Sequence, residues 1–314
     1  MLSDDAALGA VTDATLRCEF TIWGYGVGPA LTGLLAASRA AGRADLAQRV
    51  LDLVMPALHR GPDPTDHLIP VEVLTALPGD VDVRPALDRF RTAILDACRP
   101  VPGRPRVHRP DMERWQRTIW VDCMHTDGPG LAALGDVEAG VAVTQEAAAA
   151  LQRADGLFDH GYDVGTGEGN GVAWGRGQGW ALLGLVGTLA HARDAELSGR
   201  LDALLAALAR HERDGRWHTV VDDDAAPVEM STSAYVALAV SDAVHGGLAD
   251  PAHAAMAERA YAAARAALHD GVLPASDATP VGRAAEYHDR PSGLHPWGQG
   301  PLLLAMLNRR KDGS

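Results

Sequence analysis

The chain has 314 residues, 47% of them hydrophobic and 22% charged, so it is long enough to bury a large core. Its formal net charge of -13 argues against binding to nucleic acid, because duplex binding needs clustered Lys and Arg to displace counterions from phosphates. Long polyanions are disfavoured too, whereas a small anionic ligand is compatible with this charge, since one buried Arg can outweigh a distant surface that salt screens within about 8 to 10 Å.

The start of the chain and its cysteines indicate where the protein works. No stretch approaches the roughly 18 uninterrupted apolar residues of a membrane span, and Asp4 and Asp5 replace the basic start of a signal peptide. We therefore expect a cytoplasmic protein without membrane contact. Cys18, Cys98 and Cys123 form no CxxC pair, which predicts reduced, buried thiols and neither a disulfide framework nor a thiolate metal site.

A repeat organises the whole chain. Six times, a turn marked by Gly, Trp or an acidic residue opens an Ala- and Leu-rich helical run, and these six openings lie near Trp23, Asp66, Asp122, Trp174, Glu229 and Trp297. Such a period indicates one supersecondary unit whose apolar faces are buried by stacking on its neighbours. Residues 1–314 are thus expected to form one domain, with its functional site where the openings converge.

Apolar residues at helical spacing predict pairs of helices in chain order. The first pair is Gly28–Ala41 and Asp45–Leu58, with a break at Gly42. The next four pairs are His67–Leu77 with Val83–Cys98, Gly128–Leu134 with Val137–Ala154, Gln178–Arg193 with Glu196–Arg213, and Ser231–Val244 with Ala252–Leu268. The last run, Gly298–Arg309, is left to pair with the N-terminal segment Asp5–Phe20.

The composition of these runs predicts their places in an all-α fold. In each pair the first helix tends to be rich in Gly, Ala and Leu, as a crowded inner helix would be, and the second carries more Arg, Asp and Glu. Strand signals are nearly absent, and the longest candidate, Gly215–Val221, predicts a short solvated hairpin. Six inner and six outer helices would close a toroid in which the two terminal segments meet.

Tryptophan is concentrated at the openings. Five of the seven Trp residues lie at or just inside the starts of inner helices: Trp23, Trp120, Trp174, Trp180 and Trp297. A flat apolar ring with one N–H donor suits stacking on a sugar and bonding one hydroxyl. Large aromatic residues also plug barrel ends, but five at equivalent ends favour a carbohydrate pocket.

Two carboxylates stand out because each opens an apolar helix. Asp122 lies between Trp120 and His125 in a desolvating segment, and Asp66 precedes His67. Burial makes a carboxyl group hold its proton to higher pH, and a second carboxylate nearby strengthens the effect, which yields a proton donor near neutral pH. Helix capping is the simpler role for an arbitrary Asp. For Asp122 we favour catalysis.

A Gly-rich segment and a nearby loop supply further candidates. Arg176 stands between glycines that would let the backbone approach a ligand, and its guanidinium could hold a carboxylate bidentately. Its alternative role is pairing with a neighbouring Asp. His160 could orient a hydroxyl group or a water molecule, although a lone loop His is usually only solvated.

With these segments the chain resembles the unsaturated rhamnogalacturonyl hydrolases (glycoside hydrolase family 105) and their relatives, the unsaturated glucuronyl hydrolases (family 88). The most distinctive element is Trp-x-Arg-Gly-x-Gly-Trp. The matching segments span nearly the whole chain in family order: Trp23-Gly24-Tyr25-Gly26-Val27, Asp66 before a helix, Trp120-Val121-Asp122, Phe158-Asp159-His160-Gly161-Tyr162-Asp163, Trp174-Gly175-Arg176-Gly177-Gln178-Gly179-Trp180 and Gly298-Gln299-Gly300-Pro301-Leu302-Leu303-Leu304-Ala305.

The resemblance implies an (α/α)6 barrel that removes a 4,5-unsaturated uronic acid from the non-reducing end of a small oligosaccharide left by a polysaccharide lyase, with no cofactor or metal. It implies Asp122 as general acid and base and Asp66 as its charged partner. The sugar-binding residues it implies are Tyr25, His160, Trp174, Arg176 and Trp180, to which Trp23, His125 and Trp297 are added as further candidates. The family often has a His shortly before the catalytic Asp; here His108 or Asp111 could take that place, while His125 follows Asp122 unusually closely.

Three alternatives stay open at this point. An ordinary glycosidase on the same barrel would act at the anomeric carbon with Asp122 and Asp66 as acid and base. A non-catalytic helical toroid would bind sugar or peptide. A zinc enzyme would need Cys123 and His125 as ligands, yet residues two apart on a helix point to different faces and a third ligand is not evident.

Overall fold

The computed structural model describes residues 3–98 and 106–312, and the rest of the predicted single domain lies outside it. Helices dominate these ranges: α1 Asp4–Leu16, α2 Val27–Ala41, α3 Ala44–Leu58, α4 Val71–Thr75, α5 Arg84–Thr92, α6 Asp127–Ala133, α7 Val137–Leu151, α8 Gly175–Leu189, α9 Ala195–His211, α10 Met230–His245, α11 Ala254–Ala266, α12 Ala285–His288 and α13 Pro296–Asp312. None of these helices is long and apolar enough to cross a membrane.

Six of the helices form a closed inner ring. Along the chain α2, α4, α6, α8, α10 and α13 each contact the next, and α13 returns to pack on α2. Their partners α3, α7, α9 and α11 pack outside them, α5 packs on the turn that precedes α4, and α1 packs on α13. The predicted toroid, with its terminal segments meeting, is therefore confirmed as an (α/α)6 barrel.

Burial separates the two rings as composition predicts. In α8, 13 of 15 residues are buried, whereas its outer partner α9 buries 6 of 17 along one apolar stripe. The inner helix can be enclosed on all sides because it is built of Gly, Ala and Leu. The outer helix keeps its charged face in water.

The predicted helices differ from the structure mainly at the second pair. The run His67–Leu77 is divided by Pro70 into a 3-10 turn, Asp66–Leu68, and the five-residue α4, because proline cannot donate the backbone bond that a continuous helix needs. The predicted break at Gly42 is confirmed, since this residue ends α2 with φ +64°.

Short strands join the helices at one end of the ring. A three-stranded antiparallel sheet is built from β1 Thr118–Trp120, β2 Gly161–Asp163 and β3 Glu168–Gly169, and β4 Ala275–Ser276 pairs with β5 Ser292–Gly293. The prediction that Gly215–Val221 forms a short solvated hairpin is wrong, because Trp217 and Val221 are buried and the segment makes only isolated β-bridges.

Candidate active site

A cavity of about 350 Å³ opens where the inner helices begin. Four of the six openings contribute to its wall, and those at Asp66 and Glu229 do not. The loops before β1 and after β4 complete it. Its lining residues are Tyr25, Arg109, Met112, Trp115, Trp120, Asp122, His160, Trp174, Arg176, Trp180, Ala278, Thr279, Pro280, Val281 and Trp297.

The three-stranded sheet brings Asp122 and His160 together. Trp120 pairs with Gly161, and the N–H of Val121 donates to the carbonyl of His160 at 3.0 Å. The 3-10 turn Val121–His125 then carries Asp122, and the Asp122 side chain meets the imidazole of His160 with Oδ2 3.1 Å from Nε2. Asp122 is 8% exposed, so the carboxylate faces the cavity and not bulk water.

His125 supports this turn and is absent from the cavity wall. Its Nδ1 lies 2.5 Å from the carbonyl oxygen of Asp122, and because a carbonyl only accepts, Nδ1 must donate. Burial lowers the pKa of His125, which favours the neutral ring. That ring packs 4.3 Å from the ring of Trp180. His125, predicted as a substrate-binding residue, thus lies outside the residues that line the cavity, where it holds the backbone of Asp122 and packs on the indole of Trp180.

Arg176 is held rigidly in the cavity wall. Its guanidinium lies 4.4 Å from the ring centre of Trp174 and 5.2 Å from that of Trp297. Nη1 donates to the carbonyl of Ser276 at 2.8 Å, and Nη2 donates to that of Asp277 at 2.9 Å. Burial lowers the pKa of Arg176 from its ordinary value. A ligand carboxylate can therefore be met by the remaining donors, Nε–H and one N–H of Nη2, and not by a wholly free guanidinium.

The glycines around Arg176 serve the protein and not a ligand. A Cβ atom on Gly175 would lie 2.7 Å from the carbonyl oxygen of His218, and one on Gly179 would lie 2.4 Å from the ring of Tyr235. The sequence interpretation that these glycines admit a ligand is wrong. They let α8 approach neighbouring elements closely enough to fix Arg176.

Four of the five predicted tryptophans reach the cavity: Trp120, Trp174, Trp180 and Trp297. Trp23 is absent from the cavity wall and is buried in the hydrophobic core. Trp115 takes its place in the wall, at a centroid distance of 5.5 Å from Trp120. Trp115 could not be predicted, because residues 106–117 have no helical or strand periodicity.

Asp66 lies in a different environment from Asp122. It lines a second cavity of about 470 Å³, and its carboxylate accepts from Arg60 at 2.9 Å and from the backbone N–H of Asp63 at 2.9 Å, with Arg89 at 3.2 Å. The expected pairing of Asp66 with Asp122 in one pocket is therefore not found. Arg60 and Arg89, from flanking segments, form ion pairs with Asp66.

His108 and Cys123 have structural partners of their own. His108 accepts from the backbone N–H of Trp120 at 3.1 Å, and its Nε2 lies 3.2 Å from Oδ2 of Asp127. Cys123 Sγ lies 3.9 Å from Nδ1 of His67. Within residues 3–98 and 106–312, no three His, Cys, Asp or Glu side chains cluster in a way that could hold a metal ion. The competing candidate Asp111 forms an ion pair with Arg109 at 2.8 Å.

Comparison with known proteins agrees with this architecture. A family model described as Glycosyl Hydrolase Family 88 matches residues 11–312. The unsaturated rhamnogalacturonyl hydrolase YesR of Bacillus subtilis is 36% identical over 77 residues, which cover 23% of this chain and only 22% of that relative.

Two solved structures share the fold over the full length. A possible member of the GH105 family from Salmonella enterica serovar Paratyphi A has a TM-score of 0.86 at 19% identity, covering 100% of this chain and 96% of that one. The unsaturated glucuronyl hydrolase from Bacillus sp. GL1, responsible for the degradation of glycosaminoglycan, has a TM-score of 0.78 at 16% identity, covering 99% and 97%.

Proposed function

Because the chain belongs to glycosyl hydrolase family 88, we propose that it removes a 4,5-unsaturated uronic acid from the non-reducing end of lyase-generated oligosaccharides by hydrating the C4=C5 double bond. The barrel, residues 1–314, acts in this proposal as one catalytic domain. The substrate is a vinyl ether, and the reaction needs one group that first donates and then accepts a proton.

One observation carries the mechanism. Asp122 is the only acidic residue among the described side chains that line the cavity. An ordinary retaining or inverting glycosidase needs two carboxyl groups that flank the anomeric carbon. Asp66 forms ion pairs with arginines outside this cavity, so it does not supply a second carboxyl group to the lining. Hydration by a single carboxyl group therefore agrees with the lining residues better than a two-carboxylate mechanism.

The chemical steps follow from this placement. Protonated Asp122 gives its proton to C4, and oxocarbenium character develops at C5 and the ring oxygen. Water attacks C5, and the Asp122 carboxylate takes a proton from that water. The resulting hemiketal opens to a ketone at C5 and leaves a hemiacetal at C1, which releases the aglycone alcohol. The sum is substrate plus one water, and no bond forms between enzyme and sugar.

The remaining wall would bind and orient the sugar. Trp297 and Tyr25, which are half-buried, can pack on the flat unsaturated ring, and Trp174 and Trp180 complete the aromatic wall. The donors of Arg176 not used by the protein can meet the C5 carboxylate. Because the two indoles and two carbonyls hold Arg176, little side-chain entropy is lost on binding.

The test uses a panel of unsaturated disaccharides generated by different lyases, followed by loss of the ultraviolet band of the enol ether. We expect Asp122→Asn to lower kcat by about 100-fold or more, because general acid–base catalysis is removed, while substrate binding persists. Asp159→Asn is the matched control: it is equally buried and adjacent to His160 but outside the cavity wall, and most activity should remain.

The same assay separates the alternatives. Cleavage of saturated disaccharides with no ultraviolet change would favour an ordinary glycosidase. Binding of a sugar or peptide without turnover, unaffected by Asp122→Asn, would favour a non-catalytic toroid. Full activity of Asp122→Asn on an unsaturated substrate would overturn the proposed mechanism.

A further inference from the structure

Tyr287 lies directly behind His160, on the side away from Asp122. It belongs to the four-residue helix α12 in the loop between β4 and β5, and it is 1% exposed. Its Oη lies 2.5 Å from Nδ1 of His160, 3.3 Å from Nδ2 of Asn170 and 3.3 Å from the backbone N of Gly282. Three nitrogen atoms thus surround one phenol oxygen.

The neighbours of this oxygen decide where its proton points. The backbone N–H of Gly282 can only donate. The Asn170 amide is also oriented, because its Nδ2 donates to the carbonyl of Gly282 at 2.9 Å and its Oδ1 accepts from Gly161 at 3.2 Å. A phenol oxygen accepts two hydrogen bonds and donates one, so its hydrogen is left for Nδ1 of His160.

This arrangement fixes the tautomer of His160. If Nδ1 accepts, the neutral ring carries its hydrogen on Nε2, which then donates to Oδ2 of Asp122 across 3.1 Å. Oδ2 is therefore occupied as an acceptor. In the described part of the chain, no side chain forms a hydrogen bond with the other oxygen, Oδ1.

We propose that Tyr287 is a positioning residue that holds His160 as the Nε2–H tautomer and thereby reserves Oδ1 of Asp122 for the proton that reaches the substrate. The role in turnover rests on the proposed hydration reaction. The tautomer itself is a property of the free protein.

Two further features support this role. Burial raises the pKa of the Tyr287 hydroxyl, so the phenol keeps the proton that it donates. The same oxygen also holds Gly282, which follows the cavity-lining segment 278–281, and Val281 of that segment packs against Gly161. Tyr287 thus fixes part of the cavity wall and the catalytic pair through one network.

Loss of the hydroxyl should misdirect the catalytic proton. Without the Tyr287 donor, the imidazole is free to carry its hydrogen on Nδ1, and its bare Nε2 then accepts from protonated Asp122. The acidic proton would be bonded to His160 and not offered to C4. We expect Tyr287→Phe to lower kcat by about 10- to 100-fold with KM changed less than about threefold, since the general acid is impaired while Arg176 and the tryptophans of the wall keep their own contacts.

The experiment combines kinetics with the nitrogen resonances of the histidine rings. Protein labelled with ¹⁵N at its 13 histidines is compared with His160→Gln, which identifies the signals of His160. We expect the wild-type His160 signals to show one Nε2–H tautomer, and Tyr287→Phe to shift them toward a mixture. Tyr261→Phe, on α11 outside the cavity wall, controls for loss of a tyrosine hydroxyl and should change neither measurement.

The two readouts separate the possible failures. If Tyr287→Phe lowers activity but leaves the His160 signals unchanged, the residue is only structural and the proposal is overturned. An Nδ1–H tautomer in the wild-type protein also overturns it. If the signals shift as expected while wild-type protein turns over no unsaturated sugar, the proposed function fails and the placement of the proton by Tyr287 stands.

Discussion

His67 is a fully buried histidine beside the site, and it links the fold to pH. Burial lowers its pKa to about 3, with the neighbouring His108 and Arg109 lowering it further and Asp127 and Asp111 acting in the opposite direction. The unfolded chain, with the ordinary pKa of 6.5, therefore binds the proton first as the pH falls. The contribution of His67 to the free energy of unfolding is therefore fully present above pH 6.5. It decreases by about 1.4 kcal/mol per pH unit as the pH falls from 6.5 toward 3.

Replacing His67 tests this linkage. Its Nε2 has no hydrogen-bond partner in the described residues and its Nδ1 meets only the weakly bonding thiol of Cys123, so His67→Leu should remove the titration at little cost to polar neighbours. Urea unfolding between pH 7 and pH 4.5 should show a shallower loss of stability than in the wild type. Exposed His191→Leu is the control and should leave the wild-type slope. Parallel curves for His67→Leu and wild type would contradict the prediction.

Single residues also show what sequence could predict of the site. Asp122, His160 and Arg176 stand in segments with a recognisable order, and the structure brings them to one cavity. Tyr287 could not be found this way, because it lies 127 residues from His160 in an irregular loop. The ion pairs of Asp66 with Arg60 and Arg89 could not be predicted either, because they depend on tertiary contacts that a local sequence pattern does not indicate.

At the scale of helices, the glycines of α8 and α9 have opposite consequences. Gly179 faces α10, where a Cβ would lie 2.4 Å from the buried ring of Tyr235, whereas a Cβ on Gly199 would meet nothing within 4 Å. Gly179→Ala should destabilise the protein by about 1–3 kcal/mol through overpacking. Gly199→Ala should stabilise it by about 0.5–1 kcal/mol, because alanine favours the helix. Thermal unfolding measures both, and a similar effect of the two changes would refute the inner and outer assignment.

The long helices could nearly all be predicted, because the outer ones carry an apolar stripe at helical spacing and the inner ones are uninterrupted runs rich in Gly, Ala and Leu. The short strands lacked a comparable signal. β2 and β3 have three and two residues, and β1 pairs with a segment more than 40 residues away, so their pairing depends on the ring that the helices form. The elements that carry Asp122 and His160 were therefore the least predictable ones.

Closure of the ring could be predicted by counting the helix openings in the sequence. Six openings and a leftover N-terminal run implied that the first and last inner helices meet, and α13 does pack on α2. In the structure Gly300 of α13 approaches the backbone of Ala30 in α2 so closely that a Cβ would lie 2.4 Å from its nitrogen. Closure thus needs a glycine at that contact, which the repeat alone did not indicate.

The charge of the whole molecule makes a prediction about substrate capture. A net charge of -13 repels an anionic uronate at long range, while Arg176 in the cavity wall can attract it only at short range. The Debye length falls from about 30 Å at 0.01 M salt to about 8 Å at 0.15 M, so salt removes the distant repulsion before the local attraction. We expect kcat/KM for an unsaturated disaccharide to rise about two- to fivefold over this range. The methyl ester of the same disaccharide carries no charge and should show a flat profile. A fall of kcat/KM with salt, seen for the acid alone, would mean that the field at the cavity mouth is positive and that local arginines outweigh the surface even at a distance.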